Sequence, residues 1–307
     1  MEKILVIGGA GFIGSHVVEC LMEHNCQVLV YDNLSTGKKG NLPEGARLVV
    51  ADIMDVENLE RKISEVDYVI HLAALTSVEE SLHHPERYFE VNLLGTLNIL
   101  KSSVRYKIKK VIYSSSSSVY GSVEDGPSHE GMHPNPSNPY GLTKLNGEDL
   151  LKLYNQMYGL SFVALRYYNV FGERQNFNSD YASVIPIFIN RALRNQDLMI
   201  YGDGYQTRDF IYVKDVARAN WLALKGGFGI YNVSTMKEHS ILDLAHKILA
   251  FTGAENSITF EKPLLGDDRR ALGNNKLIKR ELGWGPQDVF DSNLRKVIDY
   301  YRKGLER

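Results

Sequence analysis

Residues Lys3 to Gly14 read KILVIGGAGFIG, and the reading of the fold starts there. Ile4 to Ile7 is a continuous apolar run, the pattern of a parallel strand covered on both faces. Gly8, Gly11 and Gly14 follow, and an amphipathic pattern begins at Phe12. In G-x-x-G-x-x-G the first glycine permits a tight turn and the second lets backbone approach a diphosphate. The third lets the helix pack closely on the strand. A glycine triplet alone is a weak signal. This one follows a strand and opens a helix, which is the context the motif requires. The competing reading is a glycine turn without a ligand.

Working outward, Phe12 to His24 reads as a helix with Ile13, Val17, Cys20 and Leu21 on one face. Gln27 to Tyr31 is a second strand ending at Asp32, about 20 positions after the turn, where a dinucleotide fold meets the adenosine ribose. A carboxylate there accepts from both ribose hydroxyls and repels a 2′-phosphate, so Asp32 argues for NAD over NADP. The alternative is a loop acid or helix cap. Lys38 and Lys39 lie in STGKKG, which composition reads as a flexible loop. Arg47 to Val50, Tyr68 to His71 and Lys110 to Ser114 are further strands. Leu72-Ala73-Ala74 after the fourth is small enough for a ligand to lie against backbone. A long helical pattern from about Pro85 to Tyr106 carries Asn92.

The fifth strand runs into Ser114 to Ser118, at the carboxyl edge where an open parallel sheet binds ligands. A proline-rich loop then leads to Tyr140-Gly141-Leu142-Thr143-Lys144 and a helix to about Tyr158. Tyrosine and lysine four apart share a helix face. A nearby ammonium favours the phenolate, which makes Tyr140 a usable proton acceptor near neutral pH. Alone, Y-x-x-x-K is common and usually helix surface. The order of glycine turn, acidic strand end, serine strand end, tyrosine and lysine is what carries the signal.

The chain has 307 residues, with the 44% hydrophobic and 23% charged fractions of an ordinary soluble globular protein. A net charge of −2 offers no basic field for nucleic acid or anionic membrane. No apolar run reaches membrane-spanning length, and Met1-Glu2-Lys3 leads straight into a strand rather than a signal peptide. Cys20 and Cys26 make neither a disulfide framework nor a metal site, and read as buried free thiols. A cytoplasmic enzyme without a metal fits these observations.

The segments GGAGFIGSH, YDNLSTG, HLAA, EVNLLGTLN, SSSSSVYG, PYGLTK, LRYYNVFG and IYGDGYQTRDFIYVKDVARA together resemble the extended short-chain dehydrogenase/reductase family over nearly the whole chain. They look most like its UDP-glucose/UDP-N-acetylglucosamine 4-epimerase branch. The resemblance implies an α/β fold, a Rossmann-type doubly wound parallel sheet with a smaller, interleaved α/β substrate-binding lobe. Residues 1–167 would be the NAD-binding domain, joined again by a later segment, roughly 209–235, with most of 168–307 in the smaller lobe.

By the same resemblance Ser116, Tyr140 and Lys144 take the catalytic places. NAD would be held by Gly8, Gly11, Phe12, Ile13, Gly14, Asp32, Asn33, Asp52, Ile53, Leu72, Ala73, Ala74, Asn92, Ser114, Tyr140, Lys144 and Tyr167. The UDP-sugar would meet Thr76, Ser116, Asn169, Arg208, Arg269 and Ala271. The alternative for Arg208 is a salt bridge with Asp209 or Asp215. Ile7 stands where the family usually has threonine.

One departure is larger. Epimerases usually carry an arginine two residues before a Gly-Asp pair, and here that position is Leu264. Asp268-Arg269-Arg270 is instead similar to the related 4,6-dehydratases, and either arginine could supply the missing cation. Seven positions after Leu264 is Ala271, at the place that lines the sugar's C2 substituent in the epimerases.

The implied activity is 4-epimerisation of a UDP-hexose, N-acetylated forms included, by a homodimer. The runner-up is a 4,6-dehydratase, which needs an Asp-Glu pair where this chain has Ser117 and Ser118. A decarboxylase making UDP-xylose, a dehydrogenase of a small alcohol and a non-catalytic NAD-binding regulator are the other readings. The last tends to lose the tyrosine or lysine, and both are present.

Overall fold

The computed structural model describes residues 2–123, 126–177, 183–263, 269–287 and 289–305. Its strands in chain order begin with β1 (Lys3–Ile7), β2 (Gln27–Asp32), β3 (Arg47–Val50), β4 (Tyr68–His71), β5 (Lys110–Ser116) and β6 (Phe162–Tyr167). They continue with β7 (Asn169–Phe171), β8 (Leu198–Tyr201), β9 (Thr207–Arg208) and β10 (Phe210–Tyr212). The last are β11 (Gly229–Val233), β12 (His239–Ser240), β13 (Ile258–Glu261) and β14 (Arg270–Ala271).

Seven of these form one sheet in the order β11-β6-β5-β4-β1-β2-β3, with every neighbouring pair parallel. Strand order reverses between β1 and β4, and a crevice opens at such a switch point on the carboxyl edge. The glycine turn, Asp32, Leu72 and the serine run all leave the sheet on that edge. Alternate side chains go to opposite faces. Ile4 and Val6 pack with Val17, Leu21 and Trp284 on one side, while Leu5 and Ile7 pack with Leu59, Ile99 and Leu151 on the other. Truncating one of these fully buried leucines to alanine would cost roughly 2–5 kcal/mol.

The helix over Pro139–Tyr158 has clear start and stop signals. Asn138 caps it, its Oδ1 accepting from Gly141 N at 2.8 Å, and Pro139 occupies the first turn, where a missing N–H costs nothing. Gly159, at φ 69°, ends it in the left-handed conformation. The helical pattern from Pro85 is a continuous run to Arg105, but Phe89–Leu94 widen into a π turn. Periodicity alone did not foretell that turn.

The remaining strands make three small sheets, β10-β7, β12-β9-β14 and β13-β8, around a third core that includes Phe188, Ile189, Leu198, Leu244 and Leu294. Of their strands, β8 alone is a continuous apolar run of four. Between β10 and β12 the chain returns to the large sheet: the Val213–Lys225 helix packs on the Phe12–Glu23 helix, and β11 pairs with β6 from Gly229↔Val163 to Val233↔Tyr167. Cys20 and Cys26 are free and half-buried, and burial pushes the Cys20 thiol up to about 12. Among the described residues no helix is long and apolar enough to cross a membrane.

Candidate active site

At the glycine turn the backbone is crowded on one side and open on the other. Gly8 has φ +82°, and a Cβ there would come within 2.5 Å of Ala73 N. A Cβ at Gly14 would sit 2.1 Å from Gly8 O, so helix and strand could not approach as they do. At Gly11 the nearest atom would be Gly8 O, at an ordinary 3.4 Å, which leaves that side of the turn clear. Phe12 and Ile13 are half-buried at the helix start.

Asp32 is buried, and its carboxylate accepts from Ala10 N at 2.9 Å and Leu34 N at 2.8 Å. Both sequence readings of Asp32 therefore have a foothold. It braces the loop, and each oxygen keeps acceptor capacity for a ligand hydroxyl. Asn33 Nδ2 donates to Asp52 Oδ2 at 2.7 Å, which joins the ends of β2 and β3. The STGKKG loop is fastened, contrary to its composition. Lys38 N and Asn41 Nδ2 both donate to Ala10 O, at 3.0 and 2.9 Å.

Leu72 N and Ala73 N share Ile7 O, and Ala74 follows half-buried. Ile53 is buried. Asn92 is buried in the π turn, where it exchanges hydrogen bonds with Leu75 N (2.8 Å) and Leu75 O (3.0 Å) and donates to Thr143 Oγ1 at 3.1 Å. It thus fastens the exit of β4 to the helix that carries Tyr140.

At the end of β5, Lys144 Nζ donates to Ser114 O at 2.7 Å and lies 6.0 Å from the centre of the Tyr140 ring. Burial pulls Lys144 down to about 7. Tyr140 is half-buried, and burial raises its pKa while hydrogen bonding with Ser116 opposes the rise. The expected lowering of Tyr140 by an ammonium is therefore corrected. Desolvation acts on both groups and disfavours both charges. Tyr167 is buried, with its hydroxyl engaged by Asn220.

Two polar pairs behind this site were not foreseen. Glu148 accepts from Ser115 Oγ at 2.6 Å and from Arg166 Nε and one terminal nitrogen at 2.8 and 2.6 Å. The signal was present: Tyr140, Lys144 and Glu148 continue a spacing of four. His71 meets Thr96 Oγ1 at 2.9 Å. Thr96 gives its proton to Asn92 O, so His71 must donate from Nε2.

A cleft of about 580 Å³ reaches from Ser117, next in sequence to Ser116, and Asn138, two residues before Tyr140, to Asn169, Arg208 and Ala271. Three expected substrate residues are thus brought together. Ala271 is the register partner of Arg208 between β14 and β9. Asp209 does not pair with Arg208; it accepts from Thr235 N and Oγ1, Met236 N and Gly273 N. Asp215 pairs with Arg218 at 3.0 Å.

Two expected residues are not brought to the cleft. Thr76 is exposed, and the wall is made instead by Val78 and Glu79 of the next helix. Arg269 points to the Gly202–Gly204 turn, where it grips Asp203 at 2.7 and 3.0 Å. Arg270 lines the cleft in its place, held by Glu238 through two bonds of 2.9 Å. Adjacent strand residues face opposite ways, so only one of two neighbouring arginines can turn inward. Leu264 and Asp268 lie outside the described residues.

Comparison with known proteins follows the same outline. The model of the NAD dependent epimerase/dehydratase family matches residues 4–234. The UDP-glucose 4-epimerase of Thermotoga maritima, solved with UDP-glucose, is 39% identical, with 99% of each chain covered and a TM-score of 0.96. A UDP-N-acetylglucosamine 4-epimerase from Methanobrevibacter ruminantium, in complex with UDP-N-acetylmuramic acid, is 38% identical over 99% of each chain, with a TM-score of 0.95. The Thermus thermophilus UDP-glucose 4-epimerase in complex with NAD is 38% identical, covering 98% of this chain and 99% of its own, at a TM-score of 0.93.

Proposed function

Because the chain belongs to the NAD-dependent epimerase/dehydratase family, we propose that it is a UDP-hexose 4-epimerase working through a transient 4-keto sugar. The observation that carries this reading is the convergence of Tyr140 and Lys144 on the serine end of β5, whose next residues, Ser117 and Ser118, line a cleft that also holds Arg208. Ser117 and Ser118 stand where a dehydratase needs carboxylates, so elimination of water lacks its acid and base.

The residues at the carboxyl edge fit NAD. The clear side of Gly11 admits a diphosphate, and Asp32 is placed for the adenosine ribose. Asn33, Asp52 and Ile53 flank that end, while Leu72, Ala73, Ala74 and Asn92 border the middle. Ser114, Tyr140, Lys144 and Tyr167 border the nicotinamide end. When bound, NAD would supply a reversible hydride acceptor for the sugar's C4.

Tyr140 takes the proton from the sugar's O4 and later gives it back. Ser116 orients that hydroxyl, and its closeness to Tyr140 favours the ionised phenol. Lys144, held on Ser114 O, would keep the nicotinamide ribose in place. Arg208 and Arg270 hold the diphosphate of UDP, suited to it by their planar donor forks. The seven-stranded sheet belongs to the NAD-binding part, and the small sheets belong to the sugar-nucleotide part.

Leu94, Leu142, Leu153 and Met157 are exposed on the helices at 85–105 and 139–158. A homodimer that pairs those helices would cover them. A cytoplasmic role in galactose metabolism suits this chemistry.

The test is incubation of the purified protein with UDP-galactose. Conversion to an equilibrium mixture with UDP-glucose, without net cofactor reduction, is expected. A 4-keto-6-deoxy product would reverse the assignment.

A further inference from the structure

Three consecutive residues at the end of β5 each engage one inward residue of the Pro139–Tyr158 helix. Ser116 lies close enough to Tyr140 to favour its phenolate, Ser114 O receives Lys144 Nζ, and Ser115 Oγ donates to Glu148. Tyr140 and Lys144 serve the proposed reaction directly, but Glu148 does not reach the cleft. It is 0% exposed and its partner Arg166 is 1% exposed. On its other side the Arg166 guanidinium lies 4.6 Å from the centre of the Tyr120 ring. Tyr120 forms part of the cleft wall and donates to Asn232 Oδ1 at 2.8 Å. One ion pair therefore joins the catalytic helix, the serine strand and the cleft wall.

Burying two charges is an ineffective route to stability, since apolar groups of like volume often replace such a pair without loss. A bidentate guanidinium–carboxylate pair does impose a fixed distance and plane. Apolar packing alone would leave the helix freer to shift along β5. A displacement of about 1 Å at reacting groups is enough to cost roughly a hundredfold in rate.

We infer that Glu148, with Arg166 and Ser115, is a positioning residue that keeps Tyr140 and Lys144 in register with Ser116 and Ser114. The inference rests on the 4-epimerase reading for its rate assay, so a second readout is independent of which sugar is turned over. That readout is the ionisation of Tyr140, followed as the ultraviolet difference from the Tyr140→Phe protein.

The test compares Glu148→Gln/Arg166→Met, Ser115→Ala and Ser115→Thr with wild type. The double variant keeps volume and removes both charges; Ser115→Ala removes one hydroxyl and disturbs folding least. In both, kcat falls at least about tenfold while KM for UDP-glucose and bound NAD stay within about threefold. Tyr140 ionises at higher pH, because Ser116 no longer offsets burial, and Ser115→Thr restores both properties.

Wild-type kcat and Tyr140 ionisation in Ser115→Ala would overturn the inference. So would losses that follow melting temperature alone and are not rescued by threonine. A wild-type protein that epimerises no UDP-hexose would instead overturn the functional reading, and the Tyr140 titration would still decide the positioning role.

Discussion

Ala271 stands opposite Arg208 across the β14–β9 ladder, and both line the cleft. Whatever Arg208 holds therefore lies within reach of a very small side chain. That space suits an acetamido group on the sugar, and activity on both plain and N-acetylated UDP-hexoses is expected. Ala271→Tyr should lower kcat/KM for the N-acetyl sugars about 10- to 100-fold more than for the plain ones, as overpacking does. Kinetics on all four sugars check this, and equal losses would show that Ala271 is not the gate.

Tyr140→Phe keeps the ring and removes the proton acceptor. Turnover should fall on the order of 100-fold or more. NAD content should persist, because the glycine turn and Asp32 are untouched. Near wild-type turnover would remove Tyr140 from the mechanism.

Asp32→Ala should narrow the preference for NAD over NADP. Absolute NAD affinity should also fall, since the same carboxylate braces Ala10 N and Leu34 N. Titration of each cofactor against apoprotein reads both effects. Equal affinity of the wild type for the two cofactors would contradict the role of Asp32.

The two neighbouring arginines should behave differently. Arg270→Ala should raise KM for UDP-glucose about 5- to 30-fold with a smaller change in kcat, as loss of a charge-assisted contact does. Arg269→Ala should leave both constants within about twofold, because its pair with Asp203 is exposed. The reverse ranking would place Arg269 on the diphosphate.

Acid should destabilise the protein partly through two histidines. Burial, together with Lys144, holds His71 at about 3, and burial, together with Arg174, holds His16 at about 4, against an ordinary 6.5. Below pH 6.5 the unfolded chain binds these protons and the folded chain does not. Stability therefore falls with pH until the folded values are reached. Glu19 and Glu173 beside His16 act in the opposite direction and moderate its share. Urea midpoints at pH 7.5 and 4.5 should drop less for His71→Asn than for wild type. Parallel curves would exclude His71 from the effect.

The large sheet was legible because its strands are long apolar runs closed by motifs whose spacing has a mechanical reason. The small sheets were not, since β9, β12 and β14 are two residues each and leave no periodicity to read. The same shortness hid which of Arg269 and Arg270 turns inward, because that depends on the facing of a single pair. Thr76 was placed by motif alone, whereas the wall is set by where the helix after the Ser77 cap points. Tyr140 and Lys144 were found by spacing, but their proton affinities depend on burial, which sequence does not reveal. Glu148 could have been found, because an acid continuing an inward-facing spacing of four needs a buried partner.

The return of β11 to the edge of β6 has a consequence for synthesis of the chain. Every residue of β6 is buried, yet its outer edge is covered only by a strand ending at Val233. On the ribosome, β6 would wait roughly 3 to 13 s for that cover at about 5–20 residues per second. During that interval an apolar edge is open to pairing with another nascent chain. Expression at low temperature or with holdase chaperones should therefore raise the soluble yield. A protein cut after residue 167 should precipitate rather than fold as a free NAD-binding unit.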